Sequence, residues 1–166
     1  MCYNTTMSAE SSHELSEHVS PTPMLARLVA GCRELNIPLS ARQIEQFEHY
    51  FHLLVLWNER LNLTAITGYE DVQIKHYLDS LVSLPLLAEE FGVTLPLTRP
   101  LRAVDVGTGA GFPGLPLKIA APALAMTLIQ NGRIAIPEIS SMIADVRHDG
   151  EIREHDVTVR RPPLGK

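Results

Sequence analysis

In Val104-Asp105-Val106-Gly107-Thr108-Gly109-Ala110-Gly111, glycine takes every second position from Gly107, and an acid stands two residues before the first. Glycines so placed let a backbone turn sharply and approach a ligand with no Cβ in the way. The residues before the glycines, Leu101 to Val106, form a short apolar run, and those after, Leu115 to Ala121, are apolar and helix-like. Strand, glycine loop and helix in that order would put the loop at the carboxyl end of a strand, where α/β sheets bind ligands. Pro113 suits the first position of the helix. The free N–H groups and positive dipole end of that helix would then meet a carboxylate or phosphate.

Two cofactor chemistries fit the loop. Gly107-x-Gly109-x-Gly111 after Asp105 reads as the S-adenosylmethionine loop of a class I methyltransferase, with Asp105 helping to hold the methionine amino end directly or through water. Gly109-Ala110-Gly111-Phe112-Pro113-Gly114 also fits the GxGxxG dinucleotide fingerprint. The acid before the first glycine favours the former, and Pro113 removes an N–H that a pyrophosphate would want. The bland alternative is a glycine-rich turn that binds nothing.

Other polar residues invite weaker readings. His76 and Asp79 lie three apart and would share a helical face. They would contact RNA or brace the glycine loop, or simply fix the helix through a side-chain hydrogen bond, and the last is the favoured reading. Trp57 in an amphipathic helix reads as core rather than as a stacking platform, and Asn62 and Thr64 as caps of a connector. His148, Asp149, His155 and Asp156 are metal-type ligands, but their spacing matches no metal motif, so a solvated mixed-charge end is expected there. Arg160-Arg161 is a thin signal for phosphate contact. No metal site is expected.

These groups must be positioned by a small scaffold. The chain has 166 residues, 14 Lys+Arg, 19 Asp+Glu and a formal charge of −5, with 45% apolar residues. That length and composition suit one ordinary domain or two very small ones with a packed core. The two cysteines exclude a disulfide scaffold and a CxxC zinc site. The acidic balance argues against a general nucleic-acid binder but permits a local basic patch. The first 20 residues contain no Lys, Arg or apolar run, so they read as a flexible tail rather than a signal peptide, and a cytoplasmic protein is expected.

From Pro21 the apolar spacing becomes helical. One helix carries Leu25, Leu28, Val29 and Cys32 and ends at Asn36-Ile37-Pro38. A second, capped by Ser40, carries Ile44, Phe47, Phe51, Leu54 and Val55 and runs to Glu59 or Arg60. Residues 61–68 form a connector. A third helical pattern runs from about Glu70 to Phe91, kinked or split by Pro85. Pro96 and Pro100 bracket a linker to the first strand. Leu124–Ile129 reads as a second strand, residues 133–147 as an amphipathic helix, and Val157-Thr158-Val159 as a last short strand.

Three blocks carry a family resemblance: Trp57-Asn58-Glu59-Arg60-Leu61-Asn62-Leu63-Thr64-Ala65-Ile66, Lys75-His76-Tyr77-Leu78-Asp79-Ser80-Leu81, and the stretch from Val104 through Gly114 to Leu117. In this order and spacing they resemble the RsmG (GidB) family over about residues 24–128. Members of that family methylate guanine N7 in 16S ribosomal RNA. The resemblance implies an α/β fold, in which a helical N-terminal segment (21–95) packs on a Rossmann-like class I methyltransferase domain (101–166). It implies S-adenosylmethionine as cofactor and 16S rRNA or the small ribosomal subunit as partner. Gly107 and Phe112 would line the cofactor site, with Asp105, Gly109 and Gly111 shaping the same pocket. Guanine N7 already carries a lone pair, so orientation toward the sulfonium methyl would suffice, and no acid–base residue is nominated. The pattern stops near Ile129. Gln130 stands where the family places a ribose-binding acid, and only 37 residues follow Ile129. The expectation is therefore an incomplete domain with a divergent tail. It would be either a methyltransferase or an inactive remnant that binds RNA or protein.

Overall fold

Helix α2 (Ala41–Leu61) starts where the side chain of Ser40 accepts the Gln43 N–H at 3.3 Å, while Gln43 Oε1 accepts the Ser40 N–H at 2.8 Å. This reciprocal box satisfies two donors that a helix start leaves open. The computed structural model describes residues 24–129 and the backbone of strand 157–160. The expected tail at 1–20, the helix at 133–147, Gln130, and the His148, Asp149, His155, Asp156 and Arg161 readings all lie outside the described residues.

Helix α1 (Ala26–Glu34) has no cap of its own. Gln73 supplies one from a distant part of the chain: its Oε1 accepts the N–H groups of Arg27 and Leu28 at 3.1 and 3.2 Å. Its Nε2 donates to the Tyr69 carbonyl at 3.1 Å, so both polar atoms of a side chain only 2% exposed are engaged. The Tyr69 hydroxyl accepts the Leu25 N–H at 3.1 Å and donates to Glu48 Oε2 at 2.5 Å. The start of α1 is therefore built from two other segments, because buried donors must be paired somewhere.

The third helical run is segmented. It comprises α3 (Tyr69–Val72), a π-helical turn (Gln73–Leu78), α4 (Asp79–Leu81) and α5 (Ser83–Glu90). The split at Val82 agrees with the effect expected of Pro85, which lacks an N–H and crowds the carbonyl four residues back. The π turn has no signature in the apolar spacing and was not expected.

Strand β1 (Leu101–Val106), helix α6 (Gly114–Ala120) and strand β2 (Leu124–Ile129) follow, with β1 and β2 parallel from Leu101↔Leu124 to Val106↔Ile129. Strand β3 (Val157–Arg160) adds to the far side of β2, also parallel, giving the order β1-β2-β3. On β2, Leu124, Met126 and Leu128 are buried beneath one face. On β1 the alternation turns Val104 and Val106 outward, 61% and 71% exposed. One hydrophobic cluster runs from Leu25 through Phe47, Tyr50 and Tyr77 to Leu117 and Leu128, so helices and sheet share a core. Gln43 Nε2 bridges the two parts by donating to the carbonyls of Ile119 and Ala120 at 2.8 and 3.1 Å. No helix among the described residues is long and apolar enough to cross a membrane.

Replacing Gln73 by Met keeps the bulk but leaves the Arg27 and Leu28 N–H groups without their acceptor. We expect a loss of about 2–4 kcal/mol, read by urea denaturation, and a smaller loss for Ser40→Ala, about 1 kcal/mol.

Candidate functional site

The glycine loop sits between the ends of two strands and the helical segment. The Gly107 and Thr108 N–H groups donate to the Ile129 carbonyl at 2.7 and 3.4 Å, and those of Gly111 and Phe112 to the Thr108 carbonyl at 2.8 and 3.0 Å. Asp105 Oδ2 accepts the Gly114 N–H at 3.0 Å, so this carboxylate holds the start of α6. The Leu115 N–H goes to the Gly111 carbonyl at 2.8 Å, and Pro113 and Pro116 have none. The first turn of α6 therefore offers no donor for a carboxylate or phosphate, contrary to the sequence-based expectation. Two prolines and one inward carboxylate consume its capacity.

The alternating glycines divide by role. Gly107 has φ +82°, and a Cβ there would meet nothing within 4 Å; Gly109 has φ +56° and its nearest neighbour would be a backbone oxygen at 4.0 Å. The space that a side chain would take is empty at both. Gly111, with φ +108°, is closed: a Cβ would overlap Leu115 and come within 2.9 Å of the Tyr50 hydroxyl. Its role is packing. Between the open pair lies Thr108, 5% exposed, whose buried Oγ1 has no partner among the described residues.

Tyr50 was missed by sequence reasoning, although it continues the Phe47 and Leu54 face of α2. Its hydroxyl donates to the Ala110 carbonyl at 2.8 Å. Burial, followed by the neighbouring Tyr77 and then the Asp105 charge, pushes its phenol well above the ordinary range, so it stays a donor. Its ring stacks on Phe112 at 5.4 Å between centroids and on Tyr77 at 5.3 Å. Phe112 stacks in turn on His76 at 4.5 Å and 17°. Rings from α2, the π turn and the loop thus form one series, Tyr77–Tyr50–Phe112–His76.

His76 and Asp79 do not act as a pair. His76 Nε2 lies 2.9 Å from Thr64 Oγ1, in the connector whose turn is held by Asn58 Oδ1 accepting the Thr64 N–H at 2.7 Å. The favoured reading, a side-chain hydrogen bond that fixes the helix, holds for His76 through Thr64 but not for Asp79, and the stack on Phe112 adds a brace to the glycine loop. Trp57 packs against the core, with the Arg60 guanidinium 5.5 Å from its ring centroid. Asp79 is exposed on the wall of a cavity of about 310 Å³ lined also by Lys75, His76, Ser80, Ser83, Phe112 and Pro113. The loop and the Lys75–Ser80 block, separate in sequence, meet there.

A family model described as rRNA small subunit methyltransferase G (GidB) matches residues 43–134, more than half of the chain. The chain belongs to this family. Among curated relatives named ribosomal RNA small subunit methyltransferase G, that of Pelotomaculum thermopropionicum is 46% identical over 101 residues, 61% of this chain and 39% of the relative. Those of Bacillus cereus and Streptococcus pneumoniae serotype 19F are 47% and 49% identical over 98 residues, each covering 59% of this chain and 38% of the relative. The chain thus spans about two-fifths of the length of the curated relatives it matches. The family match includes the glycine loop, the Lys75–Ser80 block and Tyr50, so every residue of the ring series falls within it.

Burial holds the His76 imidazole below its ordinary value of 6.5, and this outweighs the Asp79 charge, which acts the other way. Since the folded state then binds fewer protons than the unfolded chain, stability rises with pH through the window between the lowered value and 6.5, and falls on acidification. An NMR titration of the ring should give a value below 6.5 that moves up toward it in Phe112→Ala. Gly111→Ala should destabilise the chain by about 3 kcal/mol, well beyond the roughly 1 kcal/mol of Gly107→Ala, as read by urea denaturation.

Proposed function

We propose that this chain carries the cofactor half of an S-adenosylmethionine-dependent methyltransferase acting on guanine N7 of 16S rRNA, with a Rossmann-like sheet as its frame. Family membership supports the reaction class. The single structural observation that carries the reading is the empty Cβ space at Gly107 and Gly109, with a Thr108 hydroxyl between them that has no partner among the described residues. Those features fit the group. Gly107 and Gly109 would let it approach the main chain, and Thr108 would give it a hydrogen bond. When bound, S-adenosylmethionine would supply an electrophilic methyl on a sulfonium.

The chain's own part is positioning. Asp105 fixes the start of α6 through Oδ2, and its other oxygen has no partner among the described residues, so it can face the methionine amino group. Phe112 is held between the Tyr50 and His76 rings, and Gly111 lets α2 hold the loop from behind. Guanine N7 attacks with its own lone pair, so no residue must remove a proton before transfer, and orientation supplies the rate. The neutral His76 adds no positive charge beside a sulfonium. A ribosomal substrate places this work in the cytoplasm.

Calorimetric titration with S-adenosylhomocysteine tests the reading. We expect micromolar binding that Gly107→Arg abolishes and Gly107→Ala weakens, with methyl transfer to small ribosomal subunits assayed on the same sample. A folded chain that binds no S-adenosylhomocysteine would instead support the inactive-remnant reading.

A further inference from the structure

We propose that the cavity between the π turn and the glycine loop receives the base to be methylated, and that Asp79 reads it as guanine; this rests on the methyltransferase reading above. Enzymes that modify a base take it out of its stack into a pocket, holding it by stacking and by hydrogen bonds to its Watson–Crick edge. Both requirements can be checked against this cavity.

The stacking element is present. The cavity wall contains His76, the last ring of a four-ring series, and Phe112, stacked between it and Tyr50, with Tyr50 and Tyr77 anchoring the series in the core. A planar base entering here would extend a preformed stack at little ordering cost, since these rings are already fixed.

The reading element is Asp79. Each other polar group on the wall is already engaged. The Ser80 hydroxyl donates to the His76 carbonyl at 2.6 Å, and that of Ser83 to the Ser80 carbonyl at 3.0 Å. His76 Nε2 is with Thr64, and Lys75 Nζ lies 2.8 Å from Asp71 Oδ1. The Asp79 carboxylate makes no hydrogen bond or ion pair among the described residues. A carboxylate only accepts, and its two oxygens match two adjacent donors. Guanine offers that pair on its Watson–Crick edge, N1–H and the 2-amino group. Adenine presents an acceptor at N1, uracil flanks its N3–H with acceptors, and cytosine places its amino group beside an acceptor. Holding guanine by this edge leaves N7, on the opposite side of the purine, free to face the loop. A carboxylate on N1–H also favours the positive charge that the purine gains when N7 is methylated.

The test uses the full chain with guanosine, inosine and adenosine 5′-monophosphates, followed by NMR of the His76 ring and by calorimetry, with S-adenosylhomocysteine titrated in parallel. Inosine lacks the 2-amino donor, so its nucleotide should bind about tenfold more weakly than that of guanosine, and adenosine's more weakly still. Asp79→Asn should erase the preference for guanosine while keeping the melting temperature and the affinity for S-adenosylhomocysteine. Equal binding of the three nucleotides, an unchanged preference in Asp79→Asn, or loss of S-adenosylhomocysteine binding in that variant would overturn the proposal. The last outcome would assign Asp79 to the cofactor instead. A wild-type chain that binds S-adenosylhomocysteine but no guanosine nucleotide refutes this inference alone, and one that binds neither refutes the methyltransferase reading with it.

Discussion

The hydrogen bond from Tyr50 to the Ala110 carbonyl, with the ring series that surrounds it, is the contact on which the rest of the site depends. A glycine-rich loop has no side chains with which to hold its own shape, and glycine loses the most conformational freedom on folding. Here the shape is imposed from outside. α2 presents a tyrosine whose hydroxyl reaches the loop backbone and whose ring supports Phe112, and Gly111 is the residue that lets it come so close. Because the phenol is buried and kept protonated, it remains a donor throughout the accessible pH range. Helical segment and strand–loop–helix unit are therefore one object, sharing one core.

This arrangement explains why few of the loop's polar groups remain available. The Gly107 and Thr108 N–H groups extend the parallel ladder to the end of β2, Asp105 takes the first N–H of α6, and prolines remove two more. What remains is the empty Cβ space at two glycines and the Thr108 hydroxyl. Such a site suits a ligand recognised by close approach and a few hydrogen bonds more than a polyanion gripped by a helix end. This agrees with the cofactor proposed above for a member of this methyltransferase family.

The π turn gives the third helical run a function beyond packing. Gln73 at its start caps α1, and His76 within it meets Phe112. Asp79 just beyond it reaches the cavity wall. A wider turn shifts the phase of the residues that follow, and π-helical turns recur at functional sites for that reason. One short segment thus supports the helical core on one side and faces the glycine loop on the other.

Much of this was legible in the sequence. The second helix and its Ser40 cap, the break before Pro85, the strand–loop–helix order around the glycines and the short strand at residue 157 all follow from local rules: apolar period, capping chemistry and glycine spacing. These depend on residues close in sequence, and the three ordered blocks added the family. What tertiary structure decided involves partners far apart in the chain. The Gln73 cap on α1 spans 46 residues, and the Tyr50 bond to the loop spans 60. The unlike roles of Gly107 and Gly111 depend on where Tyr50 and Leu115 stand. The pairing of His76 with Phe112 rather than Asp79, and the burial that keeps its ring neutral, likewise arise only when α2, the π turn and the loop converge. Local propensity fixes which elements form. Desolvation and close contact between distant elements fix what each side chain in the site can do.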